Sequence, residues 1–228
     1  MKIGVVSGLP RETDCLSAIP ESERAFATFA GIGPERAEEG ARALIDQGAR
    51  ALMSFGVAGG LSAEAAAGVV VLATTVVDGP RRIEASAEWR AAIQSRIGDA
   101  VAVIEAPVAG ADRMVPTPEA KLALHEETRA AACDMESHAV ARVAVENGIP
   151  FAVVRSISDP RGRVVPKWVL RCVTPAGDVR KGALAWQAVK RPWALANLVG
   201  LAGDSGKAFA GLRRVAGRLG PGLGLGAP

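Results

Sequence analysis

The sequence has no tyrosine, only five phenylalanines and four tryptophans, and aromatic residues make up 4% of its 228 positions. A core this poor in rings must be packed mainly by Ala and Val, because hydrophobic residues still account for 49% of the chain. Cysteine is scarce too. Cys15, Cys133 and Cys172 are odd in number, far apart and form no Cys-x-x-Cys pair. That speaks against structural zinc and a disulfide framework and points to a reducing compartment, the cytoplasm. The two histidines, His125 and His138, form no His-Glu-x-x-His or comparable cluster, so no metal is expected and both read as structural. No apolar run reaches 18 residues, which argues against a spanning helix. The opening MKIGVVSGLP has one Lys and a short apolar run, and it reads as a first strand rather than a signal peptide.

What is present is unevenly spread. Residues 1–160 hold 15 Lys and Arg against 22 Asp and Glu, whereas residues 161–228 hold 12 against only Asp178 and Asp204. The overall +3 therefore hides an acidic body and a basic tail, and the tail calls for an anionic partner. A mean hydropathy of +0.21 is high for a water-soluble chain.

Strand and helix patterns alternate along the body. Residues 2–7, 25–30, 50–57, 69–77 and 101–108 read as strands. Pro34 opens a helix that Gly48 stops, and residues 89–97 and 119–129 are helical. The expected fold is α/β: three αβα layers around a central mixed, mostly parallel twisted sheet, with a helical basic tail at the C-terminus. The expected divisions are residues 1–160 as the catalytic domain, 161–220 as a basic extension and 221–228 as a flexible end.

One stretch is informative. DMESHAVARVAVENGIPFAVVRSISD, residues 134–159, is apolar in the middle and carries acids at its tips. Read as strand, helix, strand, it brings Glu136 and Asp159 to one edge of the sheet. Open α/β sheets bind ligands at such an edge, outside the carboxyl ends of their strands. Arg155 on the last strand reads as structural, pairing with an acid.

These residues resemble the purine nucleoside phosphorylase and nucleosidase superfamily, in which Met-Glu opens a helix that leads to Pro-Phe and Arg-x-Ile-Ser-Asp. MKIGVVSGLPRETDCL at 1–16 is similar to the start of the methylthioadenosine/S-adenosylhomocysteine nucleosidases. GIGPERA at 31–37 and FGVAGGL at 55–61 match glycine turns of the same superfamily. The tail, with SISDPRGRVVP and KRPWALANLVGLAGDSGKAFAGLRR, looks most like the hopanoid-associated phosphorylases.

The resemblance implies cleavage of a purine N-glycosidic bond, with adenosylhopane as the substrate and adenine as the product. It implies Asp159 as the acid at purine N7 and Glu12 as the base that activates water. Glu136 is the candidate to hold the ribose hydroxyls, with Met135 packing on sugar or base. Met114 is the expected base contact, and Phe151 is the candidate stacking partner. Arg11, Gly8 and Gly59 are candidates for an anion site, because GLPR loosely resembles a phosphorylase phosphate site. Water is favoured over phosphate as co-substrate, since Val57 or Ala58 stands where those phosphorylases tend to have serine. No other cofactor is implied, and a homo-oligomer is.

In the tail, Trp168, Trp186 and Trp193, the apolar Leu195, Leu198, Val199 and Leu201, and the pattern Lys207, Phe209, Leu212, Arg213, Arg214, Val215, Arg218 read as an amphipathic segment on an anionic membrane surface. Packing of this segment on the core is the competing expectation. Nucleic acid is not expected, for want of a recognition module. Two other functions stay open: a soluble methylthioadenosine-type nucleosidase or salvage phosphorylase, and a nucleotide-binding module without catalysis. The module would use Gly31-x-Gly33, although the third glycine of a dinucleotide fingerprint is missing.

Overall fold

The computed structural model describes residues 1–170, 182, 186, 190 and 195–225. Cys172, Trp193 and most of the basic stretch 171–194 lie outside the described residues.

Eight strands form the sheet: β1 (Ile3–Ser7), β2 (Phe26–Ala30), β3 (Ala51–Gly60), β4 (Val70–Asp78), β5 (Arg81–Glu84), β6 (Val103–Gly110), β7 (Ala132–Asp134) and β8 (Phe151–Asp159). The helices are α1 (Pro10–Thr13), α2 (Pro34–Asp46), α3 (Ala87–Ile97), α4 (Pro118–Thr128), α5 (Ser137–Glu146), α6 (Lys167–Leu170) and α7 (Leu195–Leu219). β1 pairs in parallel with β2 and β3, and β3 in parallel with β8. β8 then runs antiparallel to β4, β4 and β7 flank β6 in parallel, and β7 returns antiparallel to β3. Five strands, β3, β8, β4, β6 and β7, thus close into a ring, with β1 and β2 extending from one side and β5 from the other.

Period-two alternation decides which helices cover which face. Ile3 and Val5 of β1, Met53 and Phe55 of β3 and Val154 of β8 face a core shared with α3 and α7. Val6, Leu52, Val153 and Ile157 face the opposite core, shared with α2 and α5. Small residues make the second core tight: Ala37 and Ala41 of α2 and Ala139, Val140, Val143 and Ala144 of α5 are all buried. Ala and Val side chains let helices sit close to the sheet, so the shortage of rings is met by close approach.

Three expectations change. The strand, helix, strand unit is not a parallel crossover, because β7 and β8 run in opposite directions relative to β3. Their tips still meet: β7 pairs only at Gly59 and Gly60, the same end of β3 that carries Asp159 on its other side. The glycine-rich turn after residue 57 is strand, since β3 continues to Gly60. β5 was not foreseen; its two arginines and its exposed pattern hide a short antiparallel edge.

For the last helix, the competing expectation of packing on the core is the one the structure shows. Phe209, Leu212, Val215, Ala216 and Leu219 of α7 are buried in the same core as β1 and β3. Each fully buried Leu, Val or Phe contributes about 1.5–3 kcal/mol, so this face is committed to the protein interior and not to lipid. The segment after α7 is tied down as well: Leu223 is buried, and its carbonyl accepts the Trp89 indole N–H at 2.8 Å. Residues 195–225 are therefore part of the body rather than an appendage, and 221–225 are not a loose end. No helix among the described residues is long and apolar enough to cross a membrane.

Candidate active site

A cleft of about 700 Å³ opens at the ends of β1, β3, β7 and β8. Gly8, Glu12, Gly59, Met114, Met135, Glu136 and Asp159 all line it. Chain segments more than a hundred residues apart supply these groups, and each is aimed by a local device.

Glu12 sits on α1, where Pro10 starts a single turn straight after β1. It is 2% exposed. Its carboxylate accepts the Leu9 N–H at 2.8 Å and the Val57 N–H at 2.7 Å. A Cβ on Gly56 would come within 2.6 Å of the carboxylate, so residue 56 must be glycine for the acid to lie against β3. Burial raises the Glu12 pKa, while Arg155 and the three backbone N–H groups of Gly8, Leu9 and Val57 oppose that rise.

Glu136 lies at the turn from β7 into α5 and is 5% exposed. It accepts the Gly33 N–H at 2.9 Å and pairs with Arg155 at 3.4 Å. Gly33 presents that N–H from φ +90°, a conformation natural to glycine. Gly8 leaves space for the same carboxylate, which stands 3.0 Å from where its Cβ would be. Burial pushes Glu136 up to about 7, offset in part by Arg155 and reinforced by Asp134 and Glu12.

Beneath both acids lies Arg155 of β8, with no exposure. Its guanidinium pairs with Asp134 at 2.9 Å and bonds to Ser54 Oγ and to the Val57 carbonyl. Asp134 in turn accepts the Glu136 and Ser137 N–H groups at 2.9 and 2.8 Å, opening α5. The expected pairing of Arg155 with an acid is present, and it organises the floor of the cleft.

Asp159 closes the other side. β8 carries a bulge there: Ala58 pairs with Ile157 and Gly59 with Asp159, leaving Ser158 unpaired. A bulge re-aims the side chains beside it, and here consecutive Ser158 and Asp159 both line the cleft. The Asp159 carboxylate accepts the Ser158 hydroxyl at 2.8 Å and the Lys121 ammonium at 2.6 Å. Burial raises its pKa and Lys121 pulls it back.

Two sequence candidates fall outside the cleft. Arg11 turns away from it, its guanidinium 4.2 Å from the Phe209 ring centroid, so it serves packing rather than an anion. Phe151 begins β8, eight residues and roughly 26 Å of strand from Asp159, and is buried in the α2–α5 core. It has no face toward a base. Sequence reasoning missed Lys121, Asp134 and Gly56 as site residues. Asp134 had a signal, since an acid two residues before Glu136 at a strand end is a helix-opening pattern. Lys121 had none.

The rim carries Glu35, Arg36 and Arg113, all exposed, and the walls are apolar: Leu9, Ile32, Val57, Met135 and Val115. His138 is buried but lies outside the lining, with Nε2 3.3 Å from Asp112. His125 Nδ1 is 2.8 Å from the Ala130 carbonyl. Among the described residues no group of three His, Cys, Asp or Glu side chains could hold a metal ion.

Comparison with known proteins agrees with this architecture. No curated protein matches the sequence. The structure of 5′-methylthioadenosine/S-adenosylhomocysteine nucleosidase from S. pneumoniae, bound to a transition-state inhibitor, superposes with a TM-score of 0.68 at 18% identity, covering 96% of this chain and 100% of that one. Futalosine hydrolase of Helicobacter pylori superposes at 0.67 and 19% identity, over 94% and 97%. The methylthioadenosine/S-adenosylhomocysteine nucleosidase of Helicobacter pylori gives 0.62 at 24% identity, over 71% and 86%. The sequence profile of the phosphorylase superfamily matches residues 18–169. The chain belongs to the phosphorylase superfamily.

Proposed function

We propose that this protein cleaves the N-glycosidic bond of a purine nucleoside and releases the base. The observation that carries this reading is the meeting of Glu12, Glu136 and Asp159 in one cleft large enough for a nucleoside. Cleavage passes through an oxocarbenium-like sugar, and the base leaves only if it is protonated. Asp159 gives that proton at N7, a contribution on the order of 10²–10⁴-fold. Glu136 holds the ribose hydroxyls, and its negative field favours the charge developing on the sugar. Met135 packs against the sugar and Met114 against the base.

Water is the attacking group, taken up by Glu12. Glu12 lies against Gly56 and Asp159 against Gly59 of the same strand, and both line the cleft. Inverting glycoside hydrolysis uses such a pair, one acid and one base with water between them. A phosphate near Gly8 and Gly59 would instead face two buried carboxylates. Arg11 does not reach it, and the cations lining the cleft, Arg36 and Arg113, are at the rim.

The preferred substrate is adenosylhopane. The apolar walls and a volume beyond the needs of a bare nucleoside support a greasy 5′ substituent. Trp186 and Val199, both exposed, Lys190 set over the Trp186 ring, and the exposed Lys207, Arg213, Arg214 and Arg218 support peripheral contact with the inner face of an anionic membrane. A soluble nucleoside is the second reading, favoured by the nucleosidases that superpose on this fold. In solution the chain is a homo-oligomer.

The deciding experiment incubates purified protein with adenosylhopane and, separately, with methylthioadenosine, each with and without phosphate. Adenine and a free sugar hydroxyl from adenosylhopane, independent of phosphate, are expected. A strict phosphate requirement converts the reading to phosphorolysis, turnover of methylthioadenosine alone converts it to the soluble enzyme, and no adenine from either overturns it.

A further inference from the structure

Lys121 is a fully buried charged group beside the site that the mechanism above leaves unused. It projects from α4 and has no exposure. Its ammonium carries three protons and has four oxygens within 3.3 Å: Asp159 Oδ2 at 2.6 Å and the main-chain carbonyls of Asp159, Pro160 and Arg163 at 2.8, 3.1 and 3.3 Å. A buried ammonium is tolerated only when paired and fully hydrogen-bonded. This one is, and all of its partners belong to the tip of β8 and the turn that follows.

We propose that Lys121 is a positioning residue for the acid, fixing Asp159 and the turn that follows it and holding the carboxylate that proton transfer leaves behind. The inference rests on the nucleosidase reading of the cleft. When the C1′–N bond breaks, its electron pair goes to the purine, and the proton on N7 comes from the Asp159 carboxyl group. Water adds to C1′ and gives its proton to Glu12. The new Asp159 carboxylate then lies 2.6 Å from a cation that was already in place. Nothing has to move to receive the charge, which is the advantage of a preorganised site.

The other groups facing Asp159 do not take this role. Cys133 of β7 is pushed up to about 12 by burial and the neighbouring acids, so it remains a neutral thiol. Asp204 of α7 is engaged by Arg163 at 2.7 and 2.8 Å, which anchors the far side of the same turn. Ser158 offers a neutral hydroxyl. Lys121 is therefore the main group that opposes burial, with the Ser158 hydroxyl second, and without it the acid would hold its proton to a higher pH.

The test uses Lys121→Gln, which keeps a donor to the carbonyls without the charge, and Lys121→Met as a second variant should the first fail to fold. Carboxyl-carbon NMR of protein with labelled aspartate, with Asp159 identified by comparison with Asp159→Asn, reads the titration without any turnover. The Asp159 midpoint is expected to rise by about 1 pH unit or more, as removal of a contacting cation does. With adenine release as the readout, kcat falls about 10²-fold while KM stays within about threefold, and the alkaline limb of kcat/KM moves up with the midpoint. Added to Asp159→Asn, the substitution costs nothing further in kcat. An unmoved Asp159 titration in folded Lys121→Gln overturns the proposal and leaves the nucleosidase reading intact. Wild-type protein that releases no base from any purine nucleoside overturns that reading and the role of Lys121 with it.

Discussion

The two sides of the cleft are built on opposite electrostatic plans. On one side Asp134, Glu136 and Glu12 share one guanidinium, that of Arg155, which pairs directly with the first two and acts on Glu12 through its charge. On the other, a single acid, Asp159, meets a single ammonium, that of Lys121. Three buried acids around one cation cannot all ionise cheaply, and burial raises the proton affinity of Glu12 and Glu136 on the first side. The second is a matched pair whose carboxylate is 17% exposed at the cleft. The charge balance around each acid, as well as its depth, sets its proton affinity.

The sharpest way to break this comparison is Asp159→Asn, which keeps shape and removes the proton. A loss of about 10²–10⁴-fold in kcat is expected with the fold intact by circular dichroism; undiminished turnover would remove Asp159 from the mechanism. Arg155→Met tests the other side through stability. It leaves Asp134 and Glu136 buried without their cation, at a cost of about 3–5 kcal/mol, read as a lower midpoint in urea. Gly56→Ala pushes a methyl group into the Glu12 carboxylate. A drop of about tenfold or more in kcat, equivalent to about 1.4 kcal/mol, is expected in steady-state turnover, with little change in KM.

The pH response separates the sides more finely. Glu136 in the folded state is pushed up to about 7, whereas its ordinary value is 4.5. The folded protein therefore binds the extra proton, and the stability it brings is complete below about pH 4.5 and lost as pH rises toward 7. Glu136→Gln should flatten this decline in thermal melts across pH 4.5–7; an unchanged slope would mean that Glu136 is ionised throughout. The smallest effect belongs to Arg11→Ala. Because its guanidinium rests on the Phe209 ring, the substitution should cost about 0.5–1 kcal/mol and leave kcat/KM unchanged. Lost activity would return Arg11 to the anion site.

Much of this was legible in the sequence because it is local. The alternation at β1, β3 and β8, the Pro34 and Gly48 helix limits, and the acids at residues 12, 136 and 159 all lie within windows of a few residues. The errors share one cause. Phe151 looked available because a strand's two ends are equivalent in one dimension, and only the strand direction sends one end to the cleft and the other to the core. Arg11 looked like an anion ligand because Gly8 and Glu12 flank it, yet on the single turn of α1 neighbouring side chains point to different sides. For the tail the sequence left lipid and the core as rivals, because an apolar stripe reads the same whichever covers it; the structure puts the Phe209, Leu212 and Val215 stripe in the core.

The sequence alone determined the periodicities, the breaks and the inventory of acids, since these depend on backbone propensity and on side-chain spacing within one element. Only the tertiary structure decided which acid shares which cation. Lys121 and Asp159 are 38 positions apart, Arg155 and Glu136 are 19, and Glu12 and Val57 are 45. Coulomb energy falls with distance in space and is indifferent to distance along the chain. Proton affinities in this cleft are therefore properties of the assembled fold, in which α1, α4 and the five-strand ring meet, and no single segment contains them.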